Sequence, residues 1–331
     1  MNRILFLLAC LSLLWASPAA AQSGDYVLLV VNDASADSGR VAEHYARVRS
    51  VPPNQVLRIK VDASDEIKRA VFNRQIQKPI ATWLRQHAAQ DRVLYIVLTK
   101  GIPRRIKGSS GRDGTIASLD SELMLLYERL VGHEPTVVVL LANSCFLGNA
   151  PVSQAKTFSH QAFDLYLVTR LDGCTVEDVI GLIDRGAAPV REARILLDQM
   201  VAFDDPGGNE WLKAAADRLT KSGFGGRVVL ETTSRVLSGQ KNVLGYYPWG
   251  SNDWAITTWR FRFGFVPGAI AGMYVSSDGR TVLAETPDNV IALNNLAYAL
   301  AVRKGHPAEA LEYAEHSNRL AGERLEEAAP N

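Results

Sequence analysis

The chain has 331 residues, of which 47% are hydrophobic, so it carries enough apolar sequence for a folded core and does not have the composition of a disordered protein. Lys and Arg number 36 against 35 Asp and Glu, a net charge of +1. That balance leaves no basic excess to neutralise phosphates, and we expect no nucleic-acid partner.

Residues 1–21 have the pattern of a secretory signal peptide. A positive start, Met1–Arg3, precedes the apolar run Ile4–Trp15, and Ala19–Ala21 supplies small residues before Gln22. A retained membrane anchor is the weaker alternative, because the apolar run is short for a span and the cleavage site is clear. The sequence predicts a secreted or periplasmic protein without a stable membrane span after cleavage.

The region 22–284 alternates strand-like and helix-like segments and is predicted to form one α/β domain. It opens with the continuous apolar run Asp25–Val31, which is typical of a strand buried on both faces of a parallel sheet. Its elements are predicted, in chain order, at residues 25–31, 39–49, 55–61, 76–89, 92–98, 121–130, 165–171, 175–186, 194–197, 209–222, 226–231, 242–247 and 269–276. The alternation predicts an open, mainly parallel sheet of seven or more strands with helices on both faces, in a caspase-like or flavodoxin-like arrangement.

Two carboxylates and an ion pair mark the first candidate site. Asp120 and Glu122 stand at the start of a predicted helix, where they either cap the helix or face a ligand. Arg170 and Asp172 alternate to one side of a predicted strand at its carboxyl end, where open α/β sheets bind ligands. A structural pair between Arg170 and Asp172 is the equally weighted alternative.

A second polar group follows a later predicted strand. Asn252 and Asp253 come directly after the strand that ends near Tyr247, and Lys100 follows an earlier strand in the same way. Turn chemistry alone also explains an Asn-Asp pair. If these strand ends meet, they form a cleft lined by carboxylates, Arg and Asn.

Cofactor and metal motifs are absent from the sequence. There is no Walker loop, no G-x-G-x-x-G, no G-x-S-x-G and no H-E-x-x-H, so we predict neither a cofactor nor a bound metal. Cys145 and Cys174 remain after signal cleavage and either form a disulfide, as an oxidising compartment allows, or stay as free thiols.

The tail, residues 285–331, is predicted to be a short α-helical hairpin. Leu293, Leu296 and Leu300 form one apolar face, and Leu311 and Ala314 form another after a Gly-His-Pro turn. The pattern resembles one tetratricopeptide helix pair, which cannot bury its own faces alone. The tail therefore docks on a protein partner, which we favour, or on its own α/β domain.

Five strings together resemble one family. They are TKGIPRRI, ASLDSEL, YLVTRLDG, WGSND and VPGAIAGMYVSSDGRT, within residues 99–281. They are similar to an uncharacterised exported family of bacteria that carry exosortase, the system that handles proteins with a PEP-CTERM sorting tail. The resemblance implies an envelope location and no particular reaction. Family members usually continue past SSDGRT with a GH-containing segment and a GDPL-like strand. This chain passes into the helix pair instead, and if the missing region closes the site of the family, the resemblance implies an inactive or repurposed relative.

Two functional hypotheses follow from these patterns. The first is an exported, envelope-associated binding or assembly component linked to exosortase or exopolysaccharide systems. The second is a hydrolase of unknown bond class that uses the carboxylate and Arg side chains at the strand ends. The first is preferred because no nucleophile and base can be paired from the sequence.

Overall fold

The computed structural model describes residues 23–109, 115–132, 154–173, 175–200, 206–250, 253, 255 and 262–274. They form an α/β fold of parallel sheets flanked by helices, and this confirms the predicted fold class. The chain divides into two compact units, Met1–Asp184 and Arg185–Asn331. Each unit has its own main sheet and its own apolar clusters.

The first unit is built, in chain order, from β1 (Val27–Asn32), α1 (Ala36–Arg49), β2 (Val56–Ile59), β3 (Glu66–Lys68), α2 (Arg69–Phe72), α3 (Lys78–Gln86), β4 (Tyr95–Thr99), β5 (Arg105–Lys107), β6 (Ala117–Ser118), α4 (Leu119–Met124), α5 (Leu126–Leu130), β7 (Leu167–Leu171) and α6 (Val176–Ala187). A π-helical turn, Asn73–Gln77, joins α2 to α3. The boundary between the units falls within α6.

The main sheet of the first unit has the strand order β2-β1-β4-β7, and all neighbours are parallel. Every residue of β1 is buried, as its continuous apolar sequence predicts. Leu28 and Val30 face a core that includes α3 and α4, whereas Leu29 and Val31 face a core that includes α1 and α6. Helices therefore cover both faces of this sheet.

Helix starts in this unit follow local capping chemistry. The Ser35 hydroxyl accepts a hydrogen bond from the Ser38 amide at the start of α1. At α6, the Thr175 hydroxyl accepts from the Asp178 amide at 3.1 Å, and the Asp178 carboxylate accepts from the Thr175 amide at 2.8 Å. This reciprocal pair caps the helix that the sequence predicts to begin at residue 175.

A smaller sheet with the order β3-β5-β6 completes the first unit. β3 and β5 are parallel, and β6 pairs antiparallel to β5. The sheet leads directly into α4, so it fixes the position from which Asp120 and Glu122 project.

The second unit contains β8 (Arg194–Asp198), α7 (Pro206–Leu219), β9 (Val228–Glu231), β10 (Lys241–Pro248) and β11 (Gly264–Ala271). Its sheet is parallel, with the order β11-β10-β8-β9. Leu212 of α7 packs with Leu197 and Trp249 on one face. Leu196 and Tyr246 belong to the cluster on the other face.

The two main sheets share a strand order. When the four strands of each are counted in chain order, both sheets read 2-1-3-4, which matches the first four strands of the flavodoxin-like order. The direction of strand addition reverses between β1 and β4 in the first unit and between β8 and β10 in the second. In open α/β sheets, ligands bind beside the carboxyl ends of such strands.

One sequence prediction about the sheet is wrong. The strands within the described residues fall into separate sheets rather than one sheet of seven or more, because β7 pairs with β4 whereas β8 pairs with β9 and β10. Apolar alternation identifies a strand but does not identify its neighbour. The predicted signal peptide, the tail 285–331, Cys145, Cys174 and Asn252 lie outside the described residues.

Candidate functional site

The switch point of the first sheet is occupied by a buried polar network. The Asn32 side-chain amide donates to the Val61 carbonyl at 2.9 Å and to the Gly101 carbonyl at 2.7 Å. Its carboxamide oxygen accepts from the amides of Ala34 and Val61, each at 3.1 Å. Asn32 is completely buried, and these four bonds use its whole hydrogen-bonding capacity. The residue therefore joins strand ends rather than offering a group to a ligand.

Two hydroxyls extend this network between α1 and β4. Ser38 and Thr99 are completely buried, and their hydroxyl oxygens are hydrogen-bonded to each other. The backbone amide of Asn32 donates to the Ser38 hydroxyl at 2.8 Å, and the Thr99 hydroxyl donates to the Val30 carbonyl at 2.9 Å. Gly101 has a φ of +85°, and a Cβ there would collide with the Ser35 side chain. The sequence analysis missed this network because its polar residues lie within or beside strand and helix patterns.

Arg170 on β7 forms the most extensive set of contacts among the predicted site residues. Its guanidinium donates to both Asp120 carboxylate oxygens, at 2.6 and 3.2 Å. It also donates to the carbonyls of Ile102 and Pro103, at 2.5 and 3.0 Å. The Arg170 side chain is only 11% exposed. The alternative pairing of Arg170 with Asp172 is wrong: Arg170 ties β7 to α4 and to the segment after β4.

Asp172 has a different partner. The Lys100 ammonium lies 3.4 Å from the Asp172 carboxylate and donates to the Gly173 carbonyl at 2.6 Å. The same carboxylate oxygen accepts from the Gly173 amide at 2.9 Å. Lys100 and Asp172 follow neighbouring parallel strands, β4 and β7, so their pairing holds the two strand ends together.

Glu122 also has an ion-pair role. Its carboxylate lies 2.7 Å from the Arg69 guanidinium and 3.1 Å from the Arg129 guanidinium, and its side chain is 17% exposed. The cap of α4 is Ser118, whose hydroxyl accepts from the Ser121 amide. Neither predicted carboxylate of α4 supplies that cap. Asp120 and Glu122 are instead held by separate arginines.

Asp253 lies in the second unit and is buried. Its carboxylate accepts from the Ala255 amide at 2.8 Å, and its own amide donates to the Gly250 carbonyl at 2.9 Å. These contacts are those of a turn after β10, the alternative that the sequence also suggests. The preceding Trp249 is fixed by its indole N–H, which donates to the Asn209 side-chain oxygen at 2.7 Å.

Asp198 is the carboxylate that the sequence analysis missed. It is the last residue of β8, is 4% exposed, and accepts from the Leu237 amide at 2.9 Å and the Tyr246 hydroxyl at 3.3 Å. Burial raises its pKa to about 6; the two hydrogen bonds oppose that rise, and the charges of Asp253 and Glu231 add to it. An acidic residue that closes the apolar run Arg194–Leu197 is the sequence signal that marks it.

Three aromatic side chains of the second unit meet around a fourth, Tyr274. The ring centroids of Tyr247, Trp249 and Trp211 lie 4.9, 5.3 and 5.9 Å from that of Tyr274, all in edge-to-face geometry. Trp249 is buried, whereas Trp211 is 65% exposed and Tyr247 is 37% exposed. We refer to Trp211, Tyr247, Trp249 and Tyr274 as the aromatic surface. Trp211 comes from α7, Tyr247 lies near the carboxyl end of β10, and Trp249 directly follows that strand.

The described part of the chain contains no cluster of three or more His, Cys, Asp or Glu side chains arranged to hold a metal ion. Within the same residues, no helix is both long and apolar enough to cross a bilayer. A scan of protein-family models finds no match to this chain, and the curated proteins and the solved structures contain no significant match either.

Proposed function

We propose that the protein is an exported, envelope-associated binding or assembly component and that the aromatic surface is a contact face. The observation that carries this proposal is the exposed ring of Trp211 in contact with a rigid aromatic cluster. Covering the exposed part of such a ring is worth roughly 3 kcal/mol, at about 25 cal/mol per Å². Exposed aromatic side chains of this kind are common anchors of binding sites.

The ion pairs of the first unit have a structural role in this proposal. Arg170 holds Asp120, and Lys100 holds Asp172, with backbone carbonyls accepting from further donors of both cations. We infer that these side chains stabilise the sheet edge.

The predicted helix pair, residues 285–331, supplies a second contact in this proposal. Its apolar faces need covering, and a protein partner with helical repeats fits them. The family resemblance favours a partner in an exosortase or exopolysaccharide system. The secreted or periplasmic location is part of the same proposal.

Photocrosslinking in intact cells tests the contact face. A photoreactive amino acid replaces Trp211 in one variant and Leu182 in the control variant; Leu182 is 47% exposed on α6. We expect a crosslinked product from position 211 and none from position 182. Equal labelling at both positions, or none at either, contradicts the proposal.

A second candidate function, a hydrolase, is favoured by Asp198. A carboxyl group with a pKa of about 6 exchanges its proton near neutral pH, and the charge of the buried Asp253 contributes to this raised pKa. The test is turnover of chromogenic ester, peptide and glycoside substrates by the protein and by Asp198→Asn. Activity that Asp198→Asn abolishes supports the hydrolase; activity that survives unchanged contradicts it.

A further inference from the structure

The aromatic surface is held in place by hydrogen bonds at the start of α7. Trp249 donates to Asn209, and the Tyr274 hydroxyl donates to the Gly208 carbonyl at 3.4 Å. Asn209 is itself anchored, because it accepts from the Met200 amide at 3.1 Å and donates to the Met200 carbonyl at 2.7 Å. The exposed rings therefore pack against side chains whose positions are fixed, and a ligand that binds to them loses little conformational entropy in ordering the protein.

The base also requires a glycine. A Cβ at Gly208 would lie 2.2 Å from the six-membered ring of Trp249, a distance that no side chain tolerates. Residue 208 thus lets the indole of Trp249 lie directly against the backbone of α7. This close approach sets the position of Trp249, and through it that of Tyr274.

Charges near the exposed ring are balanced. Helix α7 carries Glu210 and Asp217 against Lys213 and Arg218. Glu210 directly precedes Trp211, and Lys213 follows it by two positions, which places Lys213 on a different face of the helix; both are exposed. This balance offers no attraction to a polyanion, and the exposed Glu210 carboxylate can accept hydrogen bonds from hydroxyl groups. The surface suits an uncharged, hydroxyl-rich ligand.

The exposed area is small for a protein partner. The uncovered parts of Trp211 and Tyr247 amount to roughly 200 Å², whereas a stable protein interface covers about 800 Å² on each partner. The two ring centroids lie no more than about 11 Å apart, since each contacts Tyr274. Two linked hexose rings span a distance of this order.

We propose that the aromatic surface binds an uncharged polysaccharide, with hexose rings stacked on Trp211 and Tyr247. The C–H groups on the face of a pyranose ring are attracted to the negative face of an aromatic ring, and its hydroxyls point outward at the edge. This inference rests on the proposed function, because it names the ligand of that contact face.

Affinity gel electrophoresis with an embedded neutral polysaccharide tests the inference. The probes are hydroxyethylcellulose, galactomannan and dextran, each in a separate gel. We expect at least one to retard the protein, and Trp211→Ala to weaken that retardation at least tenfold. Leu182→Ala, also at an exposed apolar position, should migrate as the unaltered protein does.

Two further substitutions separate stacking from general apolar contact. Trp211→Phe keeps a flat ring and should retain most of the retardation, whereas Trp211→Leu is apolar without a flat ring and should lose it. Because Trp211 is exposed, these variants should unfold at nearly the same temperature, which thermal unfolding checks.

Three results would overturn the inference: no retardation by any probe, equal retardation of Trp211→Ala, or equal retardation of Trp211→Leu and Trp211→Phe. A discrete crosslink from position 211 to a protein, with no retardation in any gel, refutes the polysaccharide and leaves the proposed contact face standing. Absence of both the crosslink and the retardation refutes both proposals.

Discussion

Replacing Asp198 by Asn should stabilise the second unit at alkaline pH and leave it unchanged at acid pH. Asp198 is buried beside the Tyr246 hydroxyl, near the carboxylates of Asp253 and Glu231. Burial is the main cause that raises the pKa of Asp198 from its ordinary 3.8 to about 6. The folded state therefore holds the Asp198 proton more tightly than the unfolded state does.

The size of the effect follows from that difference in pKa. Each unit of pKa difference between the folded and unfolded states is worth about 1.4 kcal/mol. The rise in the pKa of Asp198 from 3.8 to about 6 therefore corresponds to about 3 kcal/mol of unfolding free energy. The contribution of the protonated Asp198 is fully present below pH 3.8 and is lost as the pH rises through about 6. The carboxamide of the Asp198→Asn variant is neutral at every pH, and its oxygen can still accept from the Leu237 amide.

Urea unfolding at pH 4, 6 and 8, read by hydrogen exchange in peptides that cover β8 and β10, measures the second unit alone. We expect Asp198→Asn to raise the unfolding free energy by up to about 3 kcal/mol at pH 8 and by little at pH 4. The control is Asp217→Asn, at an exposed position of α7, whose effect should stay within about 0.5 kcal/mol. Parallel pH profiles for the unaltered protein and Asp198→Asn would refute the reasoning.

Three other predictions follow from the proposals and the ion pairs. A double-mutant cycle of Arg170→Ala and Asp120→Ala should give a coupling of at least about 1 kcal/mol in unfolding free energy, because the pair is bidentate and largely buried. The effects of Asp172→Ala and Arg170→Ala on unfolding free energy should instead be additive. N-terminal sequencing of exported material should begin at Gln22 or within a residue or two, and the full chain recovered only from the cytoplasm would contradict export. Ending the chain after Glu285 should abolish binding of the protein partner that we propose for the tail and leave the thermal unfolding temperature unchanged. A fall of several degrees in that temperature would show that the tail belongs to the core.

The positions of the strands were predictable because a strand that is buried on both faces needs a nearly continuous run of apolar residues. β1 is buried at every residue, and its unbroken apolar sequence predicts this. The division into two sheets was not predictable in the same way. Whether β8 pairs with β7 or with β9 depends on hydrogen bonds between distant segments, and neither strand carries a residue that identifies its neighbour.

The positions of Arg170 and Asp172 at a strand end were predictable from the sequence, but their partners were not. Arg170, Asp120 and Asp172 all lie at the predicted edge, but Arg170 turns to Asp120, fifty residues earlier in the chain, and Asp172 turns to Lys100. The spacing of residues within one strand can predict only partners that are close in sequence. The long side chain of Arg170 instead reaches a distant carboxylate with which it forms two parallel hydrogen bonds. Asp198 was missed for the opposite reason: its environment is made by Leu237 and Tyr246, far along the chain.

The separate cores of the two units bear on how the chain folds. Among the residues that the structure describes, the clusters of the first unit draw on residues up to Ile183, and those of the second begin at Ile195. The described apolar partners of the first unit are therefore all present once Ile183 has been synthesised, while the later part of the chain is still emerging. Calorimetry should then record two overlapping heat-absorption peaks, with a van't Hoff enthalpy smaller than the calorimetric one.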